Sequence, residues 1–245
     1  VQTYINKMYD LYAQRIHNVS KHRFDIKQEL ISRAGIWIAK KRYAQWVINQ
    51  EGNPCDKLDV KGIDVVRSSF PAAMRTFLSG VLRSILENRT QHAVDEDILT
   101  FKDAMKGMDT SDIAKSTGVK DIEKHIFKDE GTIELSKGAP AHVKAAVAYN
   151  NMLRRTGTTN KGEIRSGDKI KWVYLKQNPY GLDAMAFKNY DDPEEVLEFI
   201  NKYINYDKIF TRELYNKLEA FYSALKWGEV PTHDMRQVHK FFDFG

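Results

Sequence analysis

The stretch Gly35-Ile36-Trp37-Ile38-Ala39-Lys40-Lys41-Arg42-Tyr43-Ala44-Gln45-Trp46-Val47-Ile48 places three consecutive cations between two runs rich in β-branched and aromatic residues. Such content favours extended backbone, so strands are expected over residues 36–40 and 42–48. Gln50-Glu51-Gly52-Asn53-Pro54 is a turn cluster, and residues 58–66 form a further short strand candidate, interrupted by Gly62. If the strand ran on through the cations, alternation would set Lys40 and Arg42 on one face and Lys41 and Tyr43 on the other. A rigid platform of this kind suits a polyanion, because Lys and Arg neutralise phosphates and a long Lys reaches groove acceptors. The same residues equally suit a solvated edge strand that uses Lys to discourage aggregation.

Outward from this stretch the pattern changes to helical. Tyr4, Ile5, Met8, Leu11, Tyr12 and Ile16 recur at helical spacing over residues 2–18. After Ser69-Phe70-Pro71, Met74, Phe77, Leu78, Val81, Leu82, Ile85 and Leu86 make an apolar stripe, with Ser69 a candidate cap and Pro71 suited to a first turn. Residues 95–127 read as short helical pieces separated by Gly107 and Gly118, and residues 128–139, polar and Gly-containing, read as a loop. Pro140 opens a helix over residues 141–155, ended by Gly157. Residues 169–175 read as a strand, Asp192-Pro193-Glu194-Glu195 starts another helix, and a last long helix covers about residues 206–225. The expected class is therefore α+β and predominantly α-helical, with a small β element first, a helical unit after it, and a minor β subdomain near residues 162–187.

A length of 245 residues allows one large domain or two small ones, and 42% hydrophobic with 29% charged residues is an ordinary globular composition. The longest apolar run, Ile36 to Ala39 with Ala34-Gly35 before it, is far short of the ~20 residues that span a bilayer, so no membrane partner is expected. The single cysteine, Cys55, permits no internal disulfide and fits a reducing, cytoplasmic interior. No charged-then-apolar leader opens the chain, and the missing initiator Met suggests that Val1 is where a longer chain was cut. The net charge of +5 is unevenly spread: +6 over residues 1–50, −2 over 51–100, +5 over 101–180 and −4 over 181–245. Two basic blocks alternating with two acidic ones point to a nucleic-acid face.

Catalytic patterns are missing. No G-x-S-x-G, H-E-x-x-H or P-loop sequence occurs, and His17 and His22 lie five apart, which is not a ligand spacing. The acidic groups Asp191-Asp192 and Asp95-Glu96-Asp97 could hold metals, but each precedes an apolar helical stripe and reads better as a cap and acidic first turn.

Four landmarks, in order, carry a family resemblance. Gly35 to Ala44 resembles the K-K-R-Y segment of family B replicative DNA polymerases, especially those of large tailed phages. Asp59-Val60-Lys61-Gly62-Ile63-Asp64-Val65-Val66-Arg67-Ser68-Ser69 resembles the strand that leads into that family's thumb. Pro140-Ala141-His142-Val143 resembles its P-x-H-V/I helix start, and Gly167-Asp168-Lys169-Ile170-Lys171-Trp172-Val173 its G-D-K-I/V-x-Y/W-V strand. The resemblance implies that residues 1–66 are the end of the palm, that residues 67–240 are the thumb, and that residues 241–245 are a candidate sliding-clamp-binding tail through Phe241, Phe242 and Phe244. Gly245 departs from the phage pattern.

It also implies roles. Lys40, Lys41, Arg42 and Tyr43 would contact the primer strand and minor groove, with Lys41 as the minor-groove donor; Arg67 would approach a phosphate. Ser116, Thr117, Gly118 and Lys120 would touch phosphates from a Gly-bearing turn, joined by Lys137 and His142. The family's two metal-binding Asp motifs, fingers and proofreading exonuclease all precede K-K-R-Y and have no counterpart in this chain. The expectation is a fragment or split-gene subunit of a DNA-directed DNA polymerase that binds primer–template DNA. It would be inactive alone and bind no cofactor, with Mg²⁺ and the catalytic carboxylates supplied by the remaining polymerase segment. The alternatives are a stand-alone duplex-binding accessory protein and a clamp-interaction module.

Overall fold

In the computed structural model, residues 2–22, 26, 28–129, 132–136 and 138–232 are described. The chain begins with helix α1 (Gln2–Ser20), followed by strands β1 (Leu30–Ala39), β2 (Arg42–Gln50) and β3 (Asn53–Lys61). These strands form an antiparallel sheet in the order β1-β2-β3. Its core face carries Ile36 and Ala44, both buried, while the periodic apolar residues of α1 (Tyr4, Leu11, Tyr12 and Ile16) stay exposed.

Helix α2 (Ala72–Leu86) follows the turn of 3-10 helix at Asp64–Val66 and buries Met74, Leu78, Val81, Leu82, Ile85 and Leu86, the stripe expected from the sequence. Pro71 occupies the cap position and no side chain caps the helix, so Ser69 does not act there. One clasp joins α2 to the sheet. The Arg83 guanidinium lies 3.9 Å from the centroid of the Trp46 ring and donates to Asp56 and Glu87, while Trp46 Nε1 donates to Asp56 at 2.8 Å. Arg33, the extra residue where the β1–β2 register shifts, also lies over Trp46 at 4.9 Å. The Arg83 hydrogen bonds hold the Asp56 carboxyl below the usual carboxylate range.

Beyond α2 come α3 (Gln91–Ala104), the short α4 (Thr110–Ile113), and β4 (Lys115–Gly118). Next are β5 (Ile126–Asp129), β6 (Thr132–Leu135), α5 (Ala141–Thr156), β7 (Lys169–Tyr174) and β8 (Ala184–Phe187). The last elements are α6 (Glu194–Tyr203), α7 (Tyr206–Phe210) and α8 (Asn216–Leu225). A second antiparallel sheet has the order β4-β7-β8, and β5 and β6 pair as a separate hairpin. Every residue of β8 is buried, and α5 and α6 both contact this strand. One apolar core runs from Ile36 and Ala44 through α2, α3 and α5 to Val230.

The fold is α+β and mainly helical, as expected, with four local corrections. Residues 115–118 are a strand, because they are held as an edge by β7 and not by any apolar period of their own. Residues expected as a loop include the β5–β6 hairpin. The last helix is interrupted by a π turn at Thr211–Tyr215. The candidate strand over residues 58–66 stops at Lys61, where Gly62 turns the chain into the 3-10 segment. Among the described residues no helix is long and apolar enough to cross a membrane.

Candidate nucleic-acid interface

Strands β1 and β2 are joined by a two-residue turn, Lys40-Lys41, flanked by the pair Ala39 and Arg42. The strand does not run through the cations, so the alternation expected for them does not apply: Lys40 and Lys41 project from the hairpin tip. Lys41 adopts a left-handed conformation, with φ +62°. A long side chain there costs about 1–2 kcal/mol, so something outside the turn must hold it. Gly62, itself at φ +65°, lies directly against it: a Cβ on Gly62 would stand 2.2 Å from the Lys41 carbonyl oxygen. The end of β3 thus buttresses the hairpin tip, and only glycine fits.

Lys40, Lys41 and Arg42 are exposed, and among the described residues none of the three is ion-paired. Tyr43 is half-buried between Trp37 on β1 and Lys61 on β3. Lys61 reaches Asp59 at 3.7 Å, and Asp59 also accepts from Gln45 Nε2 at 3.0 Å. The tip therefore concentrates unneutralised positive charge on a fixed backbone, the arrangement that displaces counterions from a polyanion.

Arg67 lies in the link between β3 and α2. Its side chain is 69% exposed and pairs with Asp64 at 3.2 Å, and Lys217 also reaches Asp64 at 3.5 Å. Arg75 Nη2 donates to the carbonyl oxygens of Arg67, Ser68 and Phe70, which fixes this link to α2.

The remaining expected residues lie in the helical unit. Ser116, Thr117 and Gly118 form the edge strand β4, so they do not make the Gly-bearing turn expected from the sequence; Gly118 has no positive φ. The Thr117 hydroxyl accepts from Trp172 Nε1 at 3.2 Å, and exposed Lys120 follows buried Val119. What the edge offers an anion is its outer row of backbone N–H groups. His142, in the first turn of α5, has its pKa lowered from 6.5, chiefly by burial and further by His125 and Lys115. It carries little charge near neutrality. Lys115 itself is paired with buried Glu213 at 3.1 Å. Lys137, Phe241, Phe242 and Phe244 lie outside the described residues.

The acidic groups are structural. Asp192 accepts from the backbone N–H groups of Lys188 and Asn189, closing a turn and not capping α6 as expected, and Asp191 pairs with Lys161. Asp95 accepts from the Tyr222 hydroxyl and Asp97 from Arg89, both within α3, whose cap is Thr90. Among the described residues no group of three or more His, Cys, Asp or Glu could hold a metal ion.

Sequence reasoning missed Trp37, Lys61 and Gly62 as parts of this surface. The spacing of Gly62 after the strand was the available signal. No curated protein matches the chain. The sequence model of DNA polymerase family B matches residues 3–225.

Proposed function

The chain belongs to DNA polymerase family B, and from that membership we propose that it forms the palm end and thumb of a tailed-phage-type enzyme. It grips primer–template duplex and positions the primer end. The observation that carries this reading is the Lys40-Lys41 turn, held from below by Gly62 and forming with Arg42 a group of three cations that are not ion-paired among the described residues. Lys40 and Arg42 neutralise backbone phosphates. Lys41 reaches minor-groove acceptors, which are similar for all base pairs and so report pairing geometry without reading sequence. Arg67 exchanges Asp64 for a phosphate. The β4 edge at Ser116–Gly118, with Lys120, Lys137 and His142, steadies the duplex further from the tip.

Nucleotidyl transfer belongs to another part of the polymerase and this chain holds its substrate, a reading supported by the engagement of Asp192 with backbone N–H groups, of Asp191 with Lys161 and of Asp97 with Arg89. The exposed apolar residues of α1 favour that same part as a partner. Phe241, Phe242 and Phe244 dock in a sliding clamp, and deleting residues 241–245 abolishes clamp capture while leaving duplex affinity intact.

The test is duplex binding as a function of salt. Affinity for unrelated duplex sequences should be equal, and replacing Lys40 and Lys41 together by Ala should flatten the slope of log affinity against log salt, by about two units if both displace counterions. An unchanged slope overturns the assigned surface. Mixing the chain with the remaining polymerase segment, primer–template, nucleotides and Mg²⁺ should give primer extension; its absence would leave only a binding role.

A further inference from the structure

Trp37 is 62% exposed, although the other tryptophans of the two sheets are engaged. Trp46 donates to Asp56 and is covered by Arg83, and Trp172 donates to Thr117. The Trp37 indole N–H has no acceptor among the described residues. The ring is nevertheless fixed in place. It folds back along its own strand onto Gly35, so closely that a Cβ there would lie 2.4 Å from its Cη2 and 2.7 Å from its Cζ3. Its cross-strand neighbour is Tyr43, at 6.3 Å between centroids and with 32° between the planes. Glycine at position 35 thus makes a seat in which the indole lies flat against the sheet and turns a broad apolar surface outward.

The surroundings of this ring are cationic. Lys40 and Lys41 stand at the tip of the same hairpin, Arg42 follows, and Lys61, 61% exposed, continues the row Trp37–Tyr43–Lys61 across the sheet. The nearby carboxylate Asp59 is only 15% exposed and already engaged by Gln45 and Lys61. An apolar plate ringed by cations complements a ligand that is apolar at its centre and anionic at its edge. A deoxyribose between two phosphates has that pattern. An intercalating wedge must instead project an edge between base steps, and a ring lying on Gly35 presents its face.

We propose that Trp37 is a duplex-contacting residue whose indole packs on a sugar of the backbone strand whose phosphates Lys40 and Arg42 neutralise. The inference rests on the duplex-gripping reading given above. It identifies an apolar contact in a surface otherwise described by charge, and assigns Gly35 the role of positioning residue for it.

Apolar and ionic contacts leave different signatures in the same titration. Trp37→Ala in the full 245-residue chain should weaken duplex binding about tenfold at every salt concentration while leaving the salt slope unchanged, since no counterion is displaced by the ring. Gly35→Ala, which keeps the indole but evicts it from its seat, should weaken binding in the same salt-independent way. Trp37→Phe retains a planar ring and controls for folding; it should retain most of the affinity and lose the change in intrinsic fluorescence that duplex produces in the parent. Wild-type affinity in both Trp37→Ala and Gly35→Ala overturns the proposal. So does a Trp37→Ala variant that binds duplex normally but assembles poorly with the remaining polymerase segment, which would assign the plate to a protein partner. The Lys40/Lys41 double variant separates the two levels: an unchanged slope there removes the duplex reading itself, whereas a flattened slope with normal Trp37→Ala binding removes only the role of Trp37.

Discussion

Strand β2 is bounded by two turns of two residues each, and they are built by different rules. At one end Glu51 and Gly52 both take positive φ, +51° and +88°, the mirror-image geometry that matches the twist of paired strands. A glycine accepts the larger angle, and the Asn49 side chain accepts a hydrogen bond from Gly52 N at 2.9 Å. That turn draws mainly on its own glycine and the adjacent Asn49, with Glu51 N also donating to the Glu29 carbonyl at 2.8 Å. At the other end Lys40-Lys41 has no Gly, Asn or Asp, and Lys41 carries the left-handed angle on a four-carbon cationic side chain. Its support comes from another strand, through the close approach of Gly62 to the Lys41 carbonyl. A turn that breaks local rules and is held by a distant glycine is a place to test whether its side chains serve something other than folding.

The largest test of that contrast is Gly62→Ala. It combines an unfavourable φ with a backbone clash, so a loss of about 2–4 kcal/mol in denaturant unfolding is expected, accompanied by weaker duplex binding as the tip is displaced. Gly52→Ala, where nothing lies within 4 Å of the new Cβ, should cost only about 1 kcal/mol and leave duplex affinity alone. Equal penalties at the two positions would break the distinction between a locally built and a remotely supported turn.

Lys41→Gly sharpens it from the other side. Relieving the left-handed strain should stabilise the fold by about 1 kcal/mol, while the salt slope of duplex binding flattens by about one unit if Lys41 displaces one counterion. A variant that gains stability and loses affinity would show that the strain is retained for binding. A variant that loses both would place Lys41 among the structural residues.

The same contrast explains what could be read from the sequence. Helices α2 and α5 were legible because their apolar residues recur at helical spacing and Pro71, Pro140 and Gly157 stand at their ends. The Glu51-Gly52 turn was legible because turn chemistry is written in its own residues. The Lys40-Lys41 turn was legible only in part: the two expected strands break at Lys41, but no turn residue marks a reversal there, and its support sits some twenty residues away at Gly62. Strand β4 was hidden for a related reason. Lys115 to Gly118 carry no alternation of their own and are extended because β7 pairs with them. Of the candidate surface, the charge of Lys40, Lys41 and Arg42 was legible from their density. The seat of Trp37 on Gly35 was not, since a glycine two residues before a tryptophan acquires meaning only when the ring folds back on it.

The smallest expected effect concerns the helical unit, where Lys115 and His142 differ from the cations of the hairpin tip. Lys115 is spent on Glu213, and His142 is held below its ordinary pKa of 6.5 by burial, with His125 and Lys115 adding to the effect. A histidine depressed in the folded state takes up its proton less readily than in the unfolded chain. Its contribution to stability is therefore present above pH 6.5 and lost as pH falls through the folded value. His142→Gln should leave thermal stability near pH 7.5 close to the parent's and soften the decline on acidification toward about pH 5.5. Duplex affinity carries the opposite sign. A phosphate beside the imidazole favours the protonated form, so the parent should gain affinity relative to His142→Gln as pH falls, whereas near pH 7.5 the two should bind within about twofold of each other. If His142→Gln instead weakens binding near pH 7.5 as much as loss of a hairpin lysine does, then the helical unit grips duplex with charge as the tip does, and the contrast between paired and unpaired cations does not decide where the duplex is held.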